Sequence, residues 1–533
     1  MSGLPFVLTG SVGAPVLPSR PAVVPHSEMF PIALRNLASS LGGRQRPSPA
    51  PRERWGVRGG ALVLLLSWTV MSGPVEGAVP GRTNVLFIVA DDLNGDLGCY
   101  GAPGLQTPNL DRLAARGVRF DRAYCQYPSC NPSRASFLTG RRPNATGVLL
   151  NPGGPNPYTE HFRTKIPETV TLPQLFRISG WFTARVGKLF HYGVPMDIGT
   201  SGLDDIPSWD LTINPRGRDR ERQAPIQTLA PGQYAGTISW LADVDGEDAE
   251  QTDGIAATEA IKLLERFRRE DRPFFLGVGF YRPHTPFVAP EKYFDLYPLE
   301  QVTLPALSAD DRARRPAAAY ASAQPEQDRA EEFRLRQAIQ GYRAAISFMD
   351  AQVGRVIDAL DRLGQAGNTI IVFTSDHGYH LGDHGLWQKG SLFDRSLRVP
   401  LIISAPQARA NGKAANTLCE LVDLYPTLAD LCGLSPPTYL AGTSLRAVLA
   451  DATRQIKTEA FSQVRRRASQ LNGYSVRSGR WRYTEWDTKE GMISQLFDEE
   501  ADPGETENLA DKPEHAGKMA ELRVLLANQR PAK

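Results

Sequence analysis

Beyond residue 80 the chain alternates continuous apolar runs with amphipathic segments. The first run, Asn84 to Ala90, has the unbroken hydrophobicity of a strand buried on both faces. Similar runs cover residues 183–186, 274–280, 369–374 and 399–404. Helical periodicity covers residues 107–117, 255–268 and 331–363, and Thr107-Pro108 has the residue types that open a helix. This alternation predicts an α/β fold, a doubly wound sheet with helices on both faces.

The pattern changes from about residue 440. Residues 474–483 alternate polar and apolar positions as a strand or hairpin does, and residues 513–529 have the pattern of a closing helix. We therefore expect a main domain over residues 81–440 and a smaller α+β subdomain over residues 441–533. The long insertions at 193–250 and 303–328 show no periodicity and are expected to be surface loops.

The N-terminal segment has the features of a targeting signal. Residues 1–60 contain seven arginines, no lysine and two glutamates, and an apolar run from Ala61 to Val70 leads into small residues up to Ala78. A basic flank, an apolar run of about ten residues and a small-residue exit are typical of a secretory signal, here over residues 51–78. We expect export, to the periplasm or outside the cell, with residues 1–80 disordered or removed. An uncleaved anchoring helix is the alternative, although the run is short for a membrane span.

Composition narrows the function classes. The 533 residues are 41% hydrophobic and 22% charged, as in globular proteins, and the net charge is only +2. So small a net charge gives no overall electrostatic field that would attract nucleic acid, and we expect no nucleic-acid partner and no stable membrane partner. The five cysteines are too few for a disulfide scaffold and fit no zinc motif, although Cys419 and Cys432 could pair in an oxidising compartment.

Acidic residues follow two of the apolar runs. Asp91 and Asp92 come directly after the first run, and Asp376-His377 follows the run at 369–374 after a single serine. In open α/β sheets the carboxyl ends of the strands collect ligands, so neighbouring strands would bring these groups together. Carboxylates that close would repel without a cation, and oxygen-rich sites suit calcium or magnesium. The alternative for each pair alone is an ordinary helix cap or turn.

The stretch from Ser129 to Gly140 indicates an anion site. Pro132 in a first helical turn places Cys130 at a helix N-terminus, where free N–H groups and the helix dipole favour negative charge. Arg134 lies one turn further and could bind a tetrahedral oxyanion through its planar fork. A buried cysteine beside a surface arginine is the alternative.

These residues also match a known family. The string C-N-P-S-R followed by F-L-T-G resembles the signature of the type I, formylglycine-dependent sulfatases of the alkaline phosphatase superfamily, and residues 180–191 are similar to that family's second signature. Further motifs match in family order across residues 82–510. Within the family the chain is most similar to the iduronate-2-sulfatase group, through D-D-L-N-G-D-L-G-C-Y-G, G-K-L-F-H, R-P-H-T-P-F and L-G-D-H-G-L-W-Q-K.

The resemblance implies an alkaline-phosphatase-like mixed sheet between helices and a role for each matched residue. A maturation enzyme would oxidise Cys130 to formylglycine, whose hydrated aldehyde is the nucleophile. His191 would be the base and His284 the acid, and the sulfate would be held by Arg134, Lys188 and Lys389. One calcium ion per chain would be bound by Asp91, Asp92, Cys130, Asp376 and His377.

The expected function is therefore hydrolysis of a sulfate ester on a sulfated sugar or polysaccharide. The substrate that we expect is a 2-O-sulfated uronic acid at the end of a carbohydrate chain. Two alternatives remain at this stage. The same machinery can hydrolyse phosphodiesters or phosphonate monoesters, and a protein whose Cys130 is never matured would be a catalytically silent glycan-binding protein.

Overall fold

A computed structural model describes residues 82–153, 156–233, 235–307, 310–406, 408–466 and 471–530. The predicted leader and its signal-like segment lie outside these residues. No helix in the described ranges is both long and apolar enough to cross a membrane.

An eight-stranded sheet forms the centre of the fold, in the order β13-β2-β12-β9-β1-β7-β3-β4. Its strands are β1 (Asn84–Ala90), β2 (Val118–Tyr124), β3 (Phe182–Gly187), β4 (Leu211–Ile213), β7 (Phe274–Gly279), β9 (Thr369–Ser375), β12 (Arg398–Ser404) and β13 (Ala414–Glu420). Two small sheets are formed by β5 (Gln227–Thr228), β6 (Ser239–Asp243) and β8 (Phe287–Pro290), and by β10 (His380–Leu381) and β11 (Trp387–Gln388).

Helices cover both faces of the large sheet. They are α1 (Pro108–Arg116), α2 (Cys130–Thr139), α3 (Pro143–Thr146), α4 (Leu172–Ile178), α5 (Arg218–Glu221), α6 (Thr252–Glu270), α7 (Glu291–Phe294), α8 (Pro325–Asp328), α9 (Glu332–Arg362), α10 (Asp394–Leu397), α11 (Leu424–Leu431), α12 (Arg446–Ala450) and α13 (Ala516–Ala527). The side chains of β1 alternate between two cores: Phe87 packs with α2, α4 and α11 residues, and Ile88 with α1, α6 and α9 residues. The apolar run of β1 is therefore buried on both sides, as predicted.

The sheet is mixed because one strand runs against the others. β12 is antiparallel to both of its neighbours, β9 and β2, whereas the remaining pairs are parallel. The connection from β9 to β12 holds the β10–β11 hairpin, a 3-10 turn and one short helix, and no long helix that would carry the chain back across the sheet as a parallel crossover usually does. The predicted α/β class and mixed sheet are confirmed. The insertion at 193–250 is less irregular than expected, because β4 joins the large sheet and β6 pairs with β8.

A four-stranded sheet lies near the C-terminus. The strands β14 (Glu459–Arg466), β15 (Leu471–Ser478), β16 (Trp481–Thr488) and β17 (Gly491–Asp498) form an antiparallel meander. Helix α13 packs on it through Leu522 and Leu526, which cover Val476 and Tyr483. The predicted hairpin and closing helix are therefore present, and α13 begins three residues after the predicted start, behind a short 3-10 turn.

All five cysteines are free thiols. The Sγ atom of Cys419 faces the carbonyl of Arg122, and that of Cys432 faces the carbonyl of Thr83. The suggested pairing of Cys419 with Cys432 is therefore not formed in this structure.

Candidate active site

The acidic residues meet because β1 and β9 are parallel neighbours. Ala90 pairs with Ser375, so the residues that follow both strands emerge at the same edge of the sheet. The Asp92 backbone N–H donates to Asp376 Oδ1 at 3.1 Å. Asp92 adopts a left-handed backbone with φ 64°, a strained conformation for a residue with a Cβ and one that clusters at functional sites.

Cys130 is the first residue of α2 and its thiol points at this cluster. Its Sγ atom lies 3.5 Å from Asp92 Oδ1 and 3.4 Å from His377 Nε2. His377 Nδ1 is 2.9 Å from the Gly378 carbonyl, a contact that fixes the ring with Nε2 towards the cluster. The Ser133 hydroxyl ties α2 to the β9 edge by donating to the Asp376 carbonyl at 2.5 Å. The sequence predicted the acidic cluster and the position of Cys130 at a helix N-terminus, but not the distance between them.

Three cationic side chains converge on the same carboxylates. Arg134 donates to Asp376 Oδ2 at 2.9 Å and to Asp91 Oδ1 at 3.0 Å, and its remaining nitrogen donates to the Lys188 and Leu189 carbonyls. Lys188 Nζ donates to Asp91 Oδ2 at 2.5 Å.

Lys389 is the cation nearest the thiol. It follows the small hairpin of β10 and β11, and its Nζ donates to Asp92 Oδ1 at 2.5 Å and to Cys130 Sγ at 3.1 Å. The Lys389 side chain is 20% exposed, whereas Arg134 and Lys188 are fully buried. The site therefore opens to solvent on the Lys389 side.

The two histidines lie at the ends of neighbouring strands. His191 follows β3 and His284 follows β7, which pair in parallel. His284 Nε2 lies 3.7 Å from Asp92 Oδ2, and its Nδ1 is 2.6 Å from the Thr285 carbonyl. Among the described residues His191 Nδ1 has no hydrogen-bond partner, and burial followed by the charge of Lys188 holds the pKa of His191 well below its usual value.

The electrostatics favour the ionised forms of Asp91, Asp92 and the Cys130 thiol. Burial opposes ionisation of Asp91, but the charges of Lys188, His284 and Arg134 hold its pKa far below the usual range. Burial likewise opposes ionisation of Asp92, and His284 and Lys389 hold that pKa low. Burial raises the pKa of the Cys130 thiol, yet Lys389 and Lys188 bring it below its ordinary value.

The donor set fits a divalent cation. Ligand atoms of Asp92, Cys130, Asp376 and His377 lie within 4.8 Å of one another, as do those of a second group made by Asp91, Asp92, Cys130 and His284. In the described part of the chain, the buried Asp92 Oδ2 atom accepts no hydrogen bond. A buried carboxylate oxygen without a donor is costly unless an ion completes it. The carboxylates and the His377 imidazole could therefore hold a divalent cation.

Several residues that support the site carry no signal in the sequence. Tyr342, on the long helix α9, donates to the Asp92 carbonyl at 2.8 Å and accepts from the Asn94 N–H. Ser375 Oγ accepts from the Leu93 N–H and donates to the His377 carbonyl. These contacts fix the two acidic loops. From sequence alone, a tyrosine on the apolar face of an amphipathic helix is predicted only to be a core residue.

The fold and this site define a hydrolase of anionic esters, built on a mixed α/β sheet with carboxylates, cations and a potential nucleophile at one sheet edge. The sulfatase family profile matches residues 83–434, and the profile of the N-sulphoglucosamine sulphohydrolase C-terminal region matches residues 382–532. The chain belongs to the sulfatase family and is a sulfuric ester hydrolase.

Relatives of known name agree with this assignment. The chain is 32% identical to iduronate 2-sulfatase of Mus musculus, over 86% of this chain and 98% of that protein. It is 34% identical to iduronate 2-sulfatase of Homo sapiens, over 73% of this chain and 76% of that protein. Among solved structures, the phosphonate monoester hydrolase of Agrobacterium radiobacter superposes with a TM-score of 0.69 at 26% identity, covering 84% of this chain and 96% of the other.

Proposed function

We propose that this protein removes the sulfate of a 2-O-sulfated uronic acid at the end of a carbohydrate chain, using a formylglycine made from Cys130. The observation that carries the proposal is the set of contacts around Cys130 Sγ, where Lys389, Asp92 and His377 all lie within 3.5 Å. The similarity to iduronate 2-sulfatases supports the substrate class.

Two groups complete the site under this proposal. One calcium ion would be held by Asp91, Asp92, Asp376 and His377 together with the modified residue 130, and it would supply positive charge to the sulfate oxygens. The Cys130 sulfur stands in for an oxygen of the formylglycine, and the hydrated aldehyde would supply a hydroxyl nucleophile and divide hydrolysis into sulfate transfer and sulfate release.

The cations address the main obstacle to the reaction. A sulfate monoester carries negative oxygens that repel a nucleophile, so positive charge must be in place before bonds change. Lys188 and Lys389 contact the two aspartates that face the thiol and would bind the sulfate oxygens. Each nitrogen of Arg134 already donates to a protein group. Arg134 would therefore hold Asp91 and Asp376 in place, and its charge would act on the sulfate from behind these two carboxylates.

The two histidines would move the protons. His284 lies on the solvent side, with its Nε2 towards Asp92, and would donate a proton to the leaving alcohol. His191, buried and held neutral by its surroundings, would accept the proton of the remaining hydroxyl as sulfate is released.

The protein would reach its substrate by export and would depend on a formylglycine-generating enzyme.

The similarity to a phosphonate monoester hydrolase gives a second candidate function. An assay of the matured protein on an aryl sulfate and on the matching aryl phosphate diester, side by side, separates the two. We expect a higher kcat/KM on the aryl sulfate than on the diester. In a second assay, we expect the protein to remove the sulfate from a disaccharide that ends in 2-O-sulfated uronate. Preference for the diester would contradict the proposal and favour the second candidate.

A further inference from the structure

The last residue of β14 reaches the catalytic edge of the large sheet. β14 runs along the segment that leads to Cys130: the Ser462 hydroxyl donates to the Cys125 carbonyl at 2.6 Å, and the Gln463 N–H donates to the Gln126 carbonyl at 3.0 Å. The Arg465 N–H donates to the Tyr127 hydroxyl at 2.7 Å. The C-terminal sheet is therefore attached directly to the loop that positions the thiol.

Arg466, one residue further, contacts the loop that carries Lys389. Its Nη2 donates to the carbonyl of Gly390, which directly follows Lys389. Gly390 has φ 94°, a backbone conformation that favours glycine, and a Cβ atom there would displace the Arg466 guanidinium. Arg466 thus lies between the Tyr127 segment and the loop that carries Lys389, whose Nζ is 3.1 Å from Cys130 Sγ.

Arg466 is half-buried and lacks the carboxylate partner that the fully buried arginines named next have. Arg282 pairs with Asp219, Arg482 with Asp394 and Arg185 with Asp204. In the described ranges no carboxylate forms an ion pair with Arg466, whose guanidinium has only the Gly390 carbonyl. Burial accordingly lowers the pKa of Arg466 instead of a carboxylate raising it. Its other guanidinium nitrogens have no acceptor among the described residues and are not fully buried, so they remain available to an anionic ligand.

We propose that Arg466 binds a second anionic group of the substrate, distinct from the sulfate that is cleaved, and so makes the C-terminal sheet a determinant of specificity. The proposal rests on the proposed function, because it assumes a sulfated sugar at the site. The second anion is a carboxylate or a further sulfate on the same or the adjacent sugar, and both are bound by a guanidinium fork.

The test compares Arg466→Gln with the wild-type, matured protein on four substrates. Two carry a second anion: a disaccharide ending in 2-O-sulfated uronate, and glucosamine 2-N,6-O-disulfate. Two do not: the same disaccharide with its carboxyl reduced to an alcohol, and an aryl sulfate. Loss of one charge-assisted contact corresponds to a roughly 10–100-fold change. We expect the ratio of kcat/KM on doubly charged to singly charged substrates to fall by about that factor, chiefly through KM.

Matched variants separate substrate binding from a structural effect. Arg465→Gln removes the same charge from the neighbouring, exposed position and should not change the ratio. Arg466→Lys should recover part of the preference, since it restores the charge without the planar fork. Sensitivity to carboxyl reduction in the wild type identifies the carboxylate as the anion, and preference for the disulfate identifies the second sulfate.

The possible failures are distinguishable. If Arg466→Gln lowers kcat/KM equally on all cleaved substrates, the residue only positions the Lys389 loop and the inference is wrong while the proposed function stands. If the matured wild-type protein cleaves no sulfate ester, the proposed function itself fails.

Discussion

Replacing Lys389 by methionine tests how much of the reaction depends on charge at the nucleophile. The substitution keeps the length of the side chain and removes the ammonium group that contacts Cys130 Sγ at 3.1 Å and Asp92 Oδ1 at 2.5 Å. A unit charge about 3 Å from a developing anion is worth at most roughly 5 kcal/mol at an effective dielectric of about 20. Losing one preorganised donor in comparable sites costs about 10²–10³ in kcat, and we expect a loss in that range.

The assay is steady-state hydrolysis of two aryl sulfates, one with a good and one with a poor leaving group. Lys389 acts on the sulfate oxygens and the nucleophile, so Lys389→Met should slow both substrates by the same factor. Lys457→Met is a matched control, because Lys457 also bridges two carboxylates, Glu420 at 2.9 Å and Asp423 at 2.6 Å, outside the thiol cluster. The control should lower thermal stability and retain kcat in the folded protein. A loss for Lys389→Met below about tenfold would refute the reasoning.

Substitutions at three further positions test the other roles. Cys130→Ala and Cys130→Ser should abolish turnover while the circular dichroism spectrum stays native, and substantial residual activity would contradict the nucleophile assignment. Asp376→Ala should remove calcium and activity together, as measured by metal analysis of the purified protein, and unchanged calcium content would exclude Asp376 as a ligand. His284→Ala should slow sulfates with poor leaving groups more than those with good ones, and equal losses would argue against its role as acid.

The parts of the site that could be predicted from sequence are those coded by local pattern. Asp91-Asp92 and Asp376 follow apolar runs directly, and parallel neighbours carry such residues to one edge. Cys130 could be placed at a helix N-terminus because Pro132 favours a first turn. Each of these predictions needs only the few residues around it.

The parts that could not be predicted depend on distant contacts. The reversed direction of β12 is one of these parts, because an apolar run carries no information about the direction of its neighbours in the sheet. The partners of Arg134, which are Asp91, Asp376 and two backbone carbonyls, likewise lie far away in sequence. The approach of Arg466 to Gly390 joins residues that are 76 positions apart, and nothing local marks either one.

Mass spectrometry of the tryptic peptide of residues 123–134, from protein made in its own host, tests the central claim most directly. The peptide contains Cys125 as well as Cys130, so the buried Cys125 thiol is an internal control for alkylation. The account predicts one alkylated thiol, at Cys125, and an aldehyde without sulfur at position 130. Two alkylated thiols in the host-made protein would contradict it and would leave a protein that binds sulfated glycans without cleaving them.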